Sequence, residues 1–136
     1  MKTVLILTAS EETEQFLRKA LGSQYHILSG HTGNVGQLLL GKPDALVLEL
    51  SLPGCTGLDI LEENKKHLPP VVMALTVFLS SDVMEAAAQV GVTCMLRLPC
   101  TTREIASCLE KQAKKFPPVR EGKDCQKDAP YEQKLT

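Results

Sequence analysis

Apolar residues in this chain fall into short blocks separated by polar stretches that carry glycine or proline, and the blocks follow two different periods. Residues 4–7 (Val4, Leu5, Ile6, Leu7) and 71–75 are uninterrupted apolar runs, and 45–50 is apolar except for Glu49. Short apolar runs bounded by turn signals predict strands buried on both faces, as in a parallel sheet. Weaker runs at 25–28 and 93–96 predict two more strands. Between the runs the period lengthens. Phe16, Leu17, Ala20 and Leu21 share one helical face, and Ile105, Cys108, Leu109 and Ala113 share another.

The punctuation agrees. Ser10 is placed to cap a first helix with Glu11 and Glu12 in its first turn, and Gly22 follows its last apolar residue. Those two acids read as partners of the helix dipole, not as metal ligands. A glycine-rich second helix is expected over about 34–40, stopped by Gly41 and Pro43. A third begins at Leu58 and runs through Lys66 to Pro69-Pro70. Ser81 or Asp82 caps a fourth over 83–90, closed by Gly91, and Thr101 or Thr102 starts a fifth that runs to about Lys115.

Five strands alternating with five helices predict an α/β fold: a single doubly wound, five-stranded parallel sheet with helices on both faces. Right-handed crossovers put the C-terminal ends of the strands on one edge. Open α/β sheets place their chemistry at that edge. Glu49, near the end of the third strand, stands there.

Composition narrows the field. The 136 residues are 43% hydrophobic, enough for one ordinary core. After Phe116 the chain turns polar and proline-bearing, so the folded domain is expected over 1–116, with 117–136 a disordered tail or linker. A formal net charge of -1 supplies no general attraction to nucleic acid or an anionic membrane. No apolar run approaches the roughly 18 residues of a spanning helix. The first apolar block is too short for a signal peptide, so the expected location is cytoplasmic. The five cysteines (Cys55, Cys94, Cys100, Cys108, Cys125) form no CxxC and no ligand-like spacing with histidine, and are expected as reduced thiols with no zinc site. Neither a GxGxxG nor a P-loop is present, and the Gly30, Gly33, Gly36 spacing follows no strong strand.

The stretch from Pro43 to Gly57 resembles the phosphoacceptor segment of response-regulator receiver domains, the CheY-like family. The shared features are a buried strand ending in an acid, then Pro53-Gly54, then Gly57, with Thr76 and Pro99 matching further on. The resemblance spans about residues 2–116 and implies a (βα)5, flavodoxin-like fold. Active members bring together an acidic pair, an acceptor Asp, a Thr or Ser hydroxyl, and a Lys before a Pro. The carboxylates hold Mg²⁺, and metal and Lys neutralise charge on the transferring phosphoryl group.

Carried over position by position, the resemblance implies a stripped pocket. Thr8 and Ala9 stand where the acidic pair would be, and Glu49 replaces the acceptor Asp. Thr76 keeps the hydroxyl, which reads either as a retained functional contact, such as one to Glu49, or simply as a good β residue at a strand end. Val77 fills a position usually small. Leu98-Pro99 replaces Lys-Pro, with a cis peptide implied before the Pro. Arg97 is adjacent, but neighbouring strand side chains point to opposite faces. Met95 stands where an aromatic switch residue is common. The expectation is therefore a degenerate (pseudo-) receiver, not an enzyme, without Mg²⁺ or another cofactor.

Such a module would act through protein partners or a homodimer on the face formed by the fourth helix, fifth strand and fifth helix. Met84, Met95 and Arg97 are the candidate switch or interaction residues there. The small residues Ala86, Ala87 and Ala88 also suit plain packing on the sheet. Glu49 reads either as a mimic of the phosphoryl charge or as a remnant. Two alternatives come from other classes: a regulator that accepts phosphate on Glu49, and a thiol- or small-molecule-sensing module using Cys55 and Cys100.

Overall fold

A computed structural model describes residues 2–52 and 54–115. Pro53 of the resemblance segment and the expected tail at 117–136 lie outside the described residues.

Five strands form one parallel sheet: β1 (Thr3–Leu7), β2 (His26–Gly30), β3 (Ala45–Glu49), β6 (Val71–Thr76) and β7 (Cys94–Arg97), in the order β2-β1-β3-β6-β7. Two further strands, β4 (Ser51–Leu52) and β5 (Cys55–Thr56), pair antiparallel as a small ribbon beyond the end of β3. The helices are α1 (Glu11–Leu21), α2 (Val35–Leu39), α3 (Gly57–Glu63), α4 (Ser81–Gln89) and α5 (Thr102–Lys115). This is the expected doubly wound α/β architecture.

Alternation along each strand sorts the core into two layers. Leu5, Leu7, Leu46, Leu48, Val72 and Ala74 pack with Val35, Leu39, Ile60, Leu61 and Ala87 of α2, α3 and α4. Val4, Ile6, Val47, Met73 and Leu75 pack with Leu17, Leu21, Ile105 and Leu109 of α1 and α5. Both faces are covered, which is why the central strands are continuous apolar runs. Each fully buried Leu or Ile contributes about 1.5–3 kcal/mol by leaving water.

The element boundaries differ from the sequence expectation at strand ends and helix caps. β3 stops at Glu49, and Leu50 N–H turns to the Leu75 carbonyl at 3.0 Å before the ribbon begins. Ribbon residue Gly54 has φ 78°, open to glycine without strain. α3 ends at Glu63, and a separate 3₁₀ turn covers Lys65–His67. There the Asn64 side chain donates to the Ile60 carbonyl at 2.9 Å. Ser80, not Ser81 or Asp82, caps α4: its Oγ accepts from Val83 N–H at 3.2 Å. β2 lies later than 25–28 because His26 N–H pairs with the Lys2 carbonyl at 2.8 Å, which sets its register against β1.

Candidate functional site at the C-terminal edge of the sheet

Registers Leu7↔Leu48 and Glu49↔Leu75 set the ends of β1, β3 and β6 side by side, and Thr76↔Arg97 adds β7. Thr8, Glu49 and Thr76 are therefore neighbours along one edge, each half-buried. The strand order alone fixes this, since adjacent parallel strands lie about 4.8 Å apart.

The Glu49 carboxylate is engaged from the β1 side. Thr8 Oγ1 donates to Glu49 Oε1. The same hydroxyl oxygen accepts from Ser10 N–H at 3.1 Å, and Ser10 Oγ accepts from Thr13 N–H at 3.2 Å as the N-cap of α1. Ala9 is exposed and brings no side-chain oxygen; Glu11 and Glu12 are also exposed, on the first turn of α1.

Of the two readings of Thr76, the contact to Glu49 is not made. Its hydroxyl donates to the Phe78 carbonyl and accepts from Phe78 N–H, both at 3.2 Å. A threonine at a strand end can satisfy the following turn's backbone, and here that local claim wins. Val77 and Phe78 are left 57% and 78% exposed, the largest exposures of apolar side chains at this edge.

The β7 end is neutral at the position matching the family's lysine. Leu98 is half-buried against the α1–α5 layer, and the Leu98-Pro99 bond is cis. Arg97 is exposed; among the described residues the one ion pair joins Arg18 to Glu14 at 3.2 Å.

Met95 requires correction as a surface candidate. Met95 is 6% exposed and packs in the core with Ala74, Ala87 and Val92. It lies on the inward face of β7, so it belongs to the core and not to a docking surface. Met84 is half-buried against the same layer. Ala87, fully buried, shows the small residues of α4 packing on the sheet.

The donor set can be tested against Mg²⁺, which needs near-octahedral oxygen ligands and is commonly anchored by one or two carboxylates. This edge supplies one carboxylate, with an oxygen already taken by Thr8, beside an alanine and a leucine. Among the described residues no cluster of three His, Cys, Asp or Glu is arranged to hold a metal ion. What the ends of β1, β3 and β6 offer such an ion is the Glu49 carboxylate, already engaged by Thr8.

Cys100 fits sensing poorly. Burial, then Glu104 and Cys108, push the Cys100 thiol above its ordinary value, away from the reactive thiolate. Cys55 is half-buried on the ribbon.

Sequence reasoning missed the Thr8–Glu49 bond, although its signal was present: a hydroxyl one residue past β1 faces an acid at the end of the adjacent β3. It also missed Gln112, whose amide is fully buried with neither polar atom hydrogen-bonded.

No family model matches the chain. The chemotaxis protein CheY of Pseudomonas aeruginosa is 36% identical over 76 residues, 52% of this chain and 60% of that protein. The match thus spans about three-fifths of that curated relative's length. Among solved structures, a CheY-like receiver domain protein from Methanospirillum hungatei superposes with a TM-score of 0.79 at 14% identity, covering 88% of this chain and 99% of that one. CheY4 of Vibrio cholerae gives 0.71 at 18% identity, covering 82% and 98%. A LuxR-family DNA-binding response regulator from Staphylococcus aureus gives 0.72 at 22% identity, covering 82% and 98%. The chain has the fold of CheY-like receiver domains.

Proposed function

We propose that this chain is a receiver-type signalling module of a two-component or related regulatory pathway that works without phosphoryl transfer, by docking to a protein partner or to a second copy of itself. One observation carries the reading: the Glu49 carboxylate at the end of β3 is bonded to Thr8, and the positions that would bring metal and ammonium carry Ala9 and Leu98. Phosphoryl transfer needs charge neutralisation and in-line placement. Neither is supplied by the side chains around Glu49. On this reading the chain is not an enzyme, takes no Mg²⁺, and acts in the cytoplasm; among the described residues no helix is long and apolar enough to cross a membrane.

The acid bonds to Thr8 and not to Thr76, which favours a structural remnant over a phosphoryl mimic acting on the β6–α4 loop. Arg97 remains the exposed candidate on the α4–β7–α5 face. The testing experiment incubates the full chain with Mg²⁺ and a small acyl-phosphate donor and reads intact mass. The expected result is no phosphoryl adduct. Stoichiometric phosphorylation of Glu49 would establish the phosphoacceptor reading instead.

A further inference from the structure

Hydrogen bonds lead away from Glu49 in one direction only. Thr13 N–H donates to Ser10 Oγ at 3.2 Å, Ser10 N–H donates to Thr8 Oγ1 at 3.1 Å, and the Thr8 hydroxyl donates to Glu49 Oε1. Every donor on this path points from the N-terminal turn of α1 toward an anionic oxygen. That turn presents otherwise unpaired N–H groups and the positive end of the helix dipole. The Thr8 hydroxyl both accepts and donates, so the Ser10–Thr8 and Thr8–Glu49 bonds polarise one another.

On the opposite side the path is closed. Thr76 commits its donor and an acceptor lone pair to the Phe78 backbone, and Ser80 separately caps α4 through Val83 N–H. The β6–α4 loop is thus satisfied from within itself. α1, by contrast, carries Leu17 and Leu21 into the layer it shares with Ile105 and Leu109 of α5.

We infer that Thr8 is a positioning residue through which the Glu49 carboxylate holds the first turn of α1, so that a change at Glu49 reaches α1 and leaves the β6–α4 loop unmoved. The inference goes beyond the docking proposal and does not rest on it.

Amide hydrogen exchange on the full chain tests it. Thr8→Val and Glu49→Ala each speed exchange at the Ser10 and Thr13 amides about tenfold, the equilibrium equivalent of one lost charge-assisted hydrogen bond. The Phe78 and Val83 amides keep their rates. Glu49→Gln retains an acceptor without the charge and loses less protection. Thr8→Ser, which keeps the hydroxyl, restores wild-type protection, and the Thr8→Val/Glu49→Ala pair is no worse than either single change. Faster exchange at Phe78 and Val83 in Glu49→Ala, with Ser10 and Thr13 unchanged, overturns the inference. So does a Thr8→Val effect that Glu49→Ala fails to reproduce. No phosphodonor enters the measurement, so its failure is distinguishable from a positive labelling result.

Discussion

Gly57 lies directly against Glu49: a Cβ on Gly57 would sit 2.8 Å from the Glu49 carbonyl oxygen and 3.0 Å from Leu50 Cα. Gly57 N–H also donates to the Leu50 carbonyl at 2.8 Å, so α3 starts hard against the end of the strand that presents the acid. The obstacles are backbone atoms, which cannot swing aside as a side-chain tip can. Gly57→Ala is expected to destabilise the fold by about 1–3 kcal/mol. Urea unfolding checks it, and a midpoint equal to that of the unaltered chain refutes the packing argument.

Gln112 gives a prediction of opposite sign. A buried amide without partners bears its full desolvation cost, about 1–3 kcal/mol. Its place on α5, in line with Ile105 and Leu109, faces the apolar layer. Gln112→Met keeps the length of the side chain and removes the polar atoms. It is expected to raise stability by about 1 kcal/mol, measured as a higher thermal midpoint; a lower one would mean that the amide is used.

Glu14 predicts a pH dependence. Its carboxylate accepts from Ser29 Oγ at 2.7 Å and Arg18 Nε at 3.2 Å, and the Ser29 bond, then Arg18, hold its pKa below the usual glutamate value. A carboxylate whose folded pKa is lowered adds stability above the unfolded pKa and loses it as pH falls through the folded one. The site is solvent-screened, so about 0.5 kcal/mol is expected. Glu14→Gln should therefore cost that much at neutral pH, and the cost should fade as the pH falls through the lowered folded pKa. A cost that persists unchanged in acid would show that the charge is not responsible.

Phe78 separates folding from docking. At 78% exposure its ring contributes little to the core, so Phe78→Ser should change stability by less than about 0.5 kcal/mol. If partners dock beside the acceptor edge, the same substitution should weaken capture of a co-purified partner several-fold while the circular dichroism spectrum stays unchanged. Loss of fold would instead place the ring inside the structure.

The parallel sheet was legible in the sequence because a strand buried on both faces leaves no room for alternation: Val4 to Leu7 and Val71 to Leu75 admit few other readings. Caps were harder. Ser80, Ser81 and Asp82 are all competent, and only the extended backbone at Ser80 (φ -118°, ψ 166°) selects among them. The edge on which the acid stands was readable from its position at the end of the third strand of a parallel sheet. What the acid touches was not, because Thr76 and Thr8 are both hydroxyls next to β3, and the choice depended on whether the turn after β6 needed Thr76 for its own backbone. Met95 could serve a surface or a core by its type alone, and only its place on the inward face of β7, beside Ala74 and Ala87, decides for the core.

The sheet ends at β7 with four residues, and Pro99 comes two positions later. A proline has no N–H to offer a further rung, and so short a rim gives an incoming chain little to grip. Lateral growth at that rim is self-limiting, and edge-to-edge stacking of copies should not proceed through β7.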